Sequence, residues 1–373
     1  MTALMASEQR SPELPPCRKN RKLYTVAPVA PSDLNHIRPL GNMAPPSHTF
    51  PTRHLYLHIR REVAGDYLTP AVEVSVVAPG RVWVTTIGST ENITQGVIDY
   101  RINFSPCVEQ SAYFLHLTTL ARRLLRNFVR PLYCNEYSTG GDRYRICQKS
   151  VNIQLEAGDP VGTAGGGFKD RNALDLGASD FRVPELFYAN RDRWSFDAMQ
   201  LHVVCALDYF VPTVRRRLRK LLGDGATRRR KKPRCGQVAQ DVSGTLQGVW
   251  FVPRSDEFAT EDRQLSMAHD NIVPTTGVFS VGTSMARSGL GSDIYYFEPA
   301  RTGAINRDFD RVTKIGQVYC YEVKKRFAQL SDPVTVILVM LTGTATVRLE
   351  RSERASCGGR PWRLSADFTE FER

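Results

Sequence analysis

The chain is poor in several signatures that would place it quickly. No run of the ~18 apolar residues needed for a spanning helix occurs, and the longest candidate, Val334–Leu341, has strand length. The stretch Met1–Ala30 has no apolar h-region, so no signal peptide is read there. None of the 8 cysteines forms a C-x-x-C pair, which removes zinc-ribbon and thioredoxin chemistry. Gly165-Gly166-Gly167 is followed by neither a helix pattern nor a P-loop lysine, so a phosphate loop is excluded and a flexible turn expected. Solenoid-type repeats are also missing.

Basic charge is plentiful. The formal net charge is +12, and part of it is concentrated in Arg215–Lys232. Such a run can neutralise phosphates or an anionic glycopolymer, which makes Arg228, Arg229, Arg230, Lys231 and Lys232 a candidate polyanion site. No aromatic residues interleave these charges, so nucleic acid is not the expected partner, and a solvated helix with a basic loop explains the run as well. An even cysteine count fits disulfides in an oxidising, extracytoplasmic or secreted setting, and fits buried thiols too. The first bridges expected are Cys320 with Cys357, and Cys107 with Cys134 or Cys147.

Short alternating segments dominate the text. Val72–Val77, Arg81–Thr86, Gly96–Phe104, Ala112–Leu120, Val151–Gly165 and Ala173–Asp180 read as strands, as does His54–Ile59, on which His54, Tyr56 and His58 share a face. Leu120–Tyr133 reads as a helix covering the sheet, with Leu120, Leu124, Leu125 and Phe128 in one stripe. Phe196–Phe210 and Val214–Leu222 are helix-like. From Gly244 onward strands return, arguing an antiparallel β barrel or sandwich. Its aromatics Trp250, Tyr295, Tyr296, Tyr319, Tyr321 and Trp362 suit a core better than a sugar-stacking surface. The expected organisation is a loose lead over 1–35, a β domain over 36–185, a helical connector with a basic linker over 186–243, and an antiparallel β domain over 244–373. The fold class is mainly β.

The first domain resembles the lysostaphin-type (LytM-like) zinc metallopeptidases over about residues 38–182. The resemblance rests on Ala78-Pro79-Gly80-Arg81-Val82, on Tyr113-Phe114-Leu115-His116-Leu117, on the turn Glu156–Gly165 and on Ala173-Leu174-Asp175-Leu176-Gly177. It implies a β-sheet peptidase fold acting on peptidoglycan, with one zinc held by a His, an Asp four residues on, and the second His of an H-x-H strand. Three protein ligands and a water complete a catalytic zinc, which lowers the water's pKa toward ~7.

Two of the implied groups are replaced in this chain. His48 stands for the leading ligand, but Thr52 occupies the carboxylate position and Arg53 follows it, a cation that cannot ligate a metal. Ala173 replaces the first His of H-x-H and Asp175 the second. His116 alone keeps its position, as the catalytic histidine of the Y-x-H-L strand. The expectation is therefore a degenerate, non-catalytic peptidase fold without a cofactor, binding a cell-wall glycopeptide or other surface polymer. The rival is an active zinc peptidase with His48, His54 and Asp175 as ligands and His116 as base.

Overall fold

The computed structural model describes residues 14–19, 22–63, 66, 68–130, 132–139, 142–167, 171–195, 197–255, 261–326, 329 and 332–373. The chain is mainly β and divides into two compact units. The first comprises Met1–Ile37, Leu55–Val183 and Val204–Leu221, and the second Arg38–His54, Pro184–Val203 and Leu222–Arg373. Each unit is thus assembled from discontinuous segments.

The first unit is built on a ten-stranded sheet. Its strands are β1 (Leu34–Arg38), β2 (His54–Ile59), β3 (Val74–Val77), β4 (Val82–Asn92), β5 (Val97–Cys107), β6 (Gln110–Leu120), β7 (Tyr133–Thr139), β8 (Asp142–Leu155), β9 (Pro160–Ala164) and β10 (Ala173–Asp180). They run in the order β1-β2-β10-β6-β5-β4-β8-β7, with β9 bridging β3 and β6 off this path. Period-two alternation divides the sheet into two chemically different faces. Leu55, Leu57 and Ile59 of β2, Leu174 and Leu176 of β10, Phe114 of β6, and Ile102 and Phe104 of β5 are all buried. Register places Leu176 beside Phe114 and Phe114 beside Ile102, so these side chains form one apolar row. Tyr24 packs on it, its ring 6.4 Å from Phe104 and 5.2 Å from Phe210.

Tyr24 belongs to the stretch expected as a loose lead, yet it is fully buried. Its N–H donates to Tyr209 O, its hydroxyl to Gln110, and Cys17 is bonded to Cys107. Residues 1–13 lie outside the described residues.

The expected helix over Leu120–Tyr133 is shorter, spanning only Arg122–Asn127 (α1), with Leu120 in β6 and Tyr133 opening β7. Ala121 supplies no side-chain cap. Arg122, Arg123 and Arg126 repel one another at helical spacing, and Pro131 disfavours helix at Arg130. Leu124 is buried but Leu125 is exposed, so only part of the expected stripe covers anything. The other expected helices shorten to Ala198–Leu201 (α2) and Pro212–Arg219 (α3).

The second unit carries an eight-stranded antiparallel meander: β11 (Gly248–Trp250), β12 (Leu265–His269), β13 (Gly277–Val281), β14 (Asp293–Phe297), β15 (Val318–Lys325), β16 (Thr335–Gly343), β17 (Thr346–Ser352) and β18 (Thr369–Glu372). Phe251, just past β11, exchanges backbone hydrogen bonds of 2.7 and 2.8 Å with Glu372 of β18, bringing the sheet close to a closed barrel. At this strand number the interior is filled by side chains. Trp250, Phe279, Tyr295, Phe297, Phe309, Tyr321 and Phe371 fill it, so the aromatic set noted in the sequence is core, with Tyr296 partly buried.

The Gly223–Gln240 stretch, expected as a linker, belongs to this unit, with Arg229, Cys235 and Val238 buried. Every cysteine is disulfide-bonded. Cys320 pairs with Cys357 as expected, but Cys107 pairs with Cys17, and Cys134 with Cys147 across β7 and β8. Four disulfides favour an extracytoplasmic setting.

Candidate functional site

The polar face of the first sheet gathers the chemistry. Tyr100 lies opposite Leu117 and Ile102 opposite Phe114, so two residues of β6, Leu115 and His116, stand against one of β5. His116 is the bulged residue, with a left-handed φ of 69°. A bulge re-aims a side chain that regular pleating would send elsewhere. Here the imidazole lies between two carboxylates, with Nδ1 2.5 Å from Asp99 Oδ2 on β5 and Nε2 3.4 Å from Asp175 Oδ2 on β10. The Asp175 side chain is 1% exposed, whereas His116 and Asp99 are roughly a quarter open to solvent.

Nδ1 is at hydrogen-bond distance from Asp99, and Nε2 lies within ion-pair reach of Asp175. The geometry is that of a polar cross-brace joining three adjacent strands.

The same face continues to both sides. Ile59 N–H donates to Asn172 O at 2.9 Å, a bond that sets Tyr56 opposite Asp175 and His58 opposite Ala173 on β2 and β10. The His58 ring stacks on His36 of β1 at 4.2 Å, with Tyr56 6.1 Å away. Five neighbouring strands therefore each contribute a titratable side chain: His36, His58, Asp175, His116 and Asp99. Arg101 and Asn103 alternate with Asp99 along β5. The Arg101 guanidinium lies 4.5 Å from the Tyr113 ring centre and donates to Asn103. Tyr113 lies over Gly177, where an added Cβ would come within 2.2 Å of the ring.

Beyond Asp99, register leads through Thr90 to Ile146, and on to Asn135 of β7. There Tyr133, Tyr137, Tyr144 and Ile146 share the face, with Tyr133 64% exposed. The Tyr137 and Tyr144 rings stack at 5.3 Å with 17° between their planes. The sheet thus presents a histidine and aspartate row at one end and an aromatic strip at the other.

Of the expected metal ligands, His48 and His54 belong to the second unit and Asp175 to the first. His48 Nδ1 is 3.2 Å from Glu261, and its ring meets that of His54 edge-on at 5.6 Å. Arg53 is paired with Asp197. Among the described residues, the single group offering three ligand atoms within 4.8 Å of one another is Cys17, Cys107 and Glu109. Cys17 and Cys107 are joined in a disulfide, which takes away the thiolates a metal would need. Of the basic candidates, Arg229 is structural: it is buried and donates to Pro233 O and Asn271 O, whereas Arg228, Arg230, Lys231 and Lys232 are exposed.

Asp99 was missed as a site residue. Its signal was legible, because alternation through Val97–Phe104 puts Asp99, Arg101 and Asn103 on one side and Ile98, Tyr100, Ile102 and Phe104 on the other. No family model, curated protein or solved structure matches the chain.

Proposed function

We propose that the chain is a non-catalytic binding protein of the extracytoplasmic space, whose first unit is a lysostaphin-like peptidase fold that has exchanged hydrolysis for recognition. The observation that carries this reading is His116 placed between two carboxylates, its Nδ1 bonded to Asp99 and its Nε2 3.4 Å from Asp175, with Ala173 in place of a further imidazole. The resemblance supports the same view. It implies a carboxylate and a histidine where Thr52 and Ala173 stand, and neither side chain can take up those roles.

The ligand proposed is a cell-wall glycopeptide or similar surface polymer lying along the polar face. The exposed Tyr133 and Tyr137 offer apolar contact to sugar rings, while Arg101, Asn103 and Gln148, which lies opposite Tyr133, supply hydrogen bonds. The test is co-sedimentation of the full chain with insoluble peptidoglycan, together with metal analysis. Binding that falls at least about five-fold in Tyr133→Ala/Tyr137→Ala, without bond cleavage, is the expected outcome. Stoichiometric zinc together with peptidoglycan cleavage that is lost in His116→Gln would replace this reading with a working hydrolase.

A further inference from the structure

The first sheet stops at β7, which pairs with β8 and, among the described residues, with no strand on its other side. Two observations fix which of its backbone groups face outward. Arg143 of β8 turns its main chain toward the β4 side: its N–H donates to Thr94 Oγ1 at 3.0 Å, and its C=O accepts from Ile93 N–H at 2.8 Å. Alternation then turns the main chain of Tyr144, Ile146 and Gln148 toward β7, where they face Tyr137, Asn135 and Tyr133. The Cα atoms of Cys134 and Cys147 are 4.1 Å apart, the close spacing of an opposed pair that exchanges no main-chain bonds. The N–H and C=O groups of Cys134 and Glu136 therefore point off the edge of the sheet, and no main-chain partner meets them among the described residues.

Native sheets guard such an edge with proline, lysine or a bulge. Tyr133–Thr139 contains neither proline nor lysine, and its register with β8 runs without a shift. Every residue from Tyr133 to Tyr137 is exposed. Glu136 is the one charge in the strand, and Arg145 at 2.9 Å and Arg143 at 3.1 Å already balance it. The edge is built to accept a further strand.

We propose that the strand it accepts is β7 of a second copy of this chain, running antiparallel about a two-fold axis at Asn135. Such a contact requires the strand to complement itself. In this register Cys134 of one copy exchanges main-chain bonds with Glu136 of the other, while Tyr133, 64% exposed, lies across from Tyr137, 45% exposed. An aromatic pair thus stands on each side of the axis, and Asn135 faces its own counterpart. The neighbouring register that keeps the outward groups in phase, centred on Glu136, sets two carboxylates directly opposite and moves Tyr133 across from Thr139, so it loses on both counts. The inference rests on the strand edge alone and holds whether or not the polar face takes a polymer.

Sedimentation equilibrium of the full chain, in about 0.15 M salt to screen the net charge of +12, should show reversible dimers with a Kd at or below about 200 μM. Glu136→Pro removes an outward N–H and no bond to β8, and should raise Kd about ten-fold or more. Glu136→Gln keeps that N–H and should leave Kd within about three-fold. Asn135→Lys and Asn135→Asp should each be monomeric alone and pair when mixed, because the axis sets each new charge against its own copy. A chain that stays monomeric up to about 500 μM overturns the inference. So does a dimer as tight in Glu136→Pro as in the parent, or a pair of Asn135 variants that stay apart on mixing. None of these variants alters Tyr133 or Tyr137, so polymer co-sedimentation is read separately.

Discussion

Replacing His116 separates two contributions that the bulge joins. The first is the brace. Removing one partner of a buried ion pair costs about 3–5 kcal/mol, but His116 and Asp99 are roughly a quarter exposed, so about 2 kcal/mol is the appropriate expectation. The second is backbone conformation. At φ 69° any residue with a Cβ carries a penalty of roughly 1 kcal/mol that glycine does not. His116→Ala should therefore lose the brace and keep the penalty, whereas His116→Gly loses the brace and is relieved of it. The expected order is wild type, then Gly, then Ala, with Gly about 1 kcal/mol above Ala. In an ordinary strand Gly falls about 0.5–1 kcal/mol below Ala, so the prediction is an inversion. Calorimetry of the full chain reads it as a difference of about 2–4 °C in the transition that responds to substitutions in the first sheet. A Gly variant less stable than the Ala variant would refute the bulge as the feature that aims His116. An Ala variant within about 0.5 kcal/mol of wild type would refute the brace.

Asp180 gives a pH test. Burial raises its pKa, but bonds from the Arg182 side chain, Tyr209 and the Arg182 backbone outweigh this and hold it at about 2. Its stabilising share should be complete above the ordinary carboxylate range near ~3.9 and lost as pH falls through about 2, a slope that Asp180→Asn abolishes in acid titration of stability. The disulfides rank by the loop they close. Cys17–Cys107 spans 90 residues and Cys134–Cys147 only 13, so paired serine substitutions should cost about 4–5 and about 3 kcal/mol in denaturant unfolding. Gly177→Ala should cost about 2 kcal/mol, because the new Cβ collides with the Tyr113 ring and pushes it from Arg101, and Tyr113→Ala in the same chain should recover part of that loss in a double-mutant cycle.

Much of the architecture was readable because it is local. Alternation in Val97–Phe104 and Ala173–Asp180 sorts inward from outward side chains without any partner strand. The helix at Leu120–Tyr133 was overread for a related reason. Its apolar stripe is real, but Leu120 is used by β6, and four arginines leave little support for the rest. A similar limit applied to Gly223–Gln240, where glycine and charge imitate a linker although Arg229 finds two buried carbonyls.

Composition and periodicity alone determined that this chain is β-rich, that it has no membrane-length helix, and that its cysteines can all pair. These follow from side-chain chemistry repeated along the backbone. Only tertiary structure decided what each group meets: that one extra residue in β6 turns His116 toward Asp99 and Asp175, and that Cys17 reaches across the chain to Cys107. Register, bulges and cross-strand partners arise from contacts between residues far apart in sequence, and no local pattern encodes them.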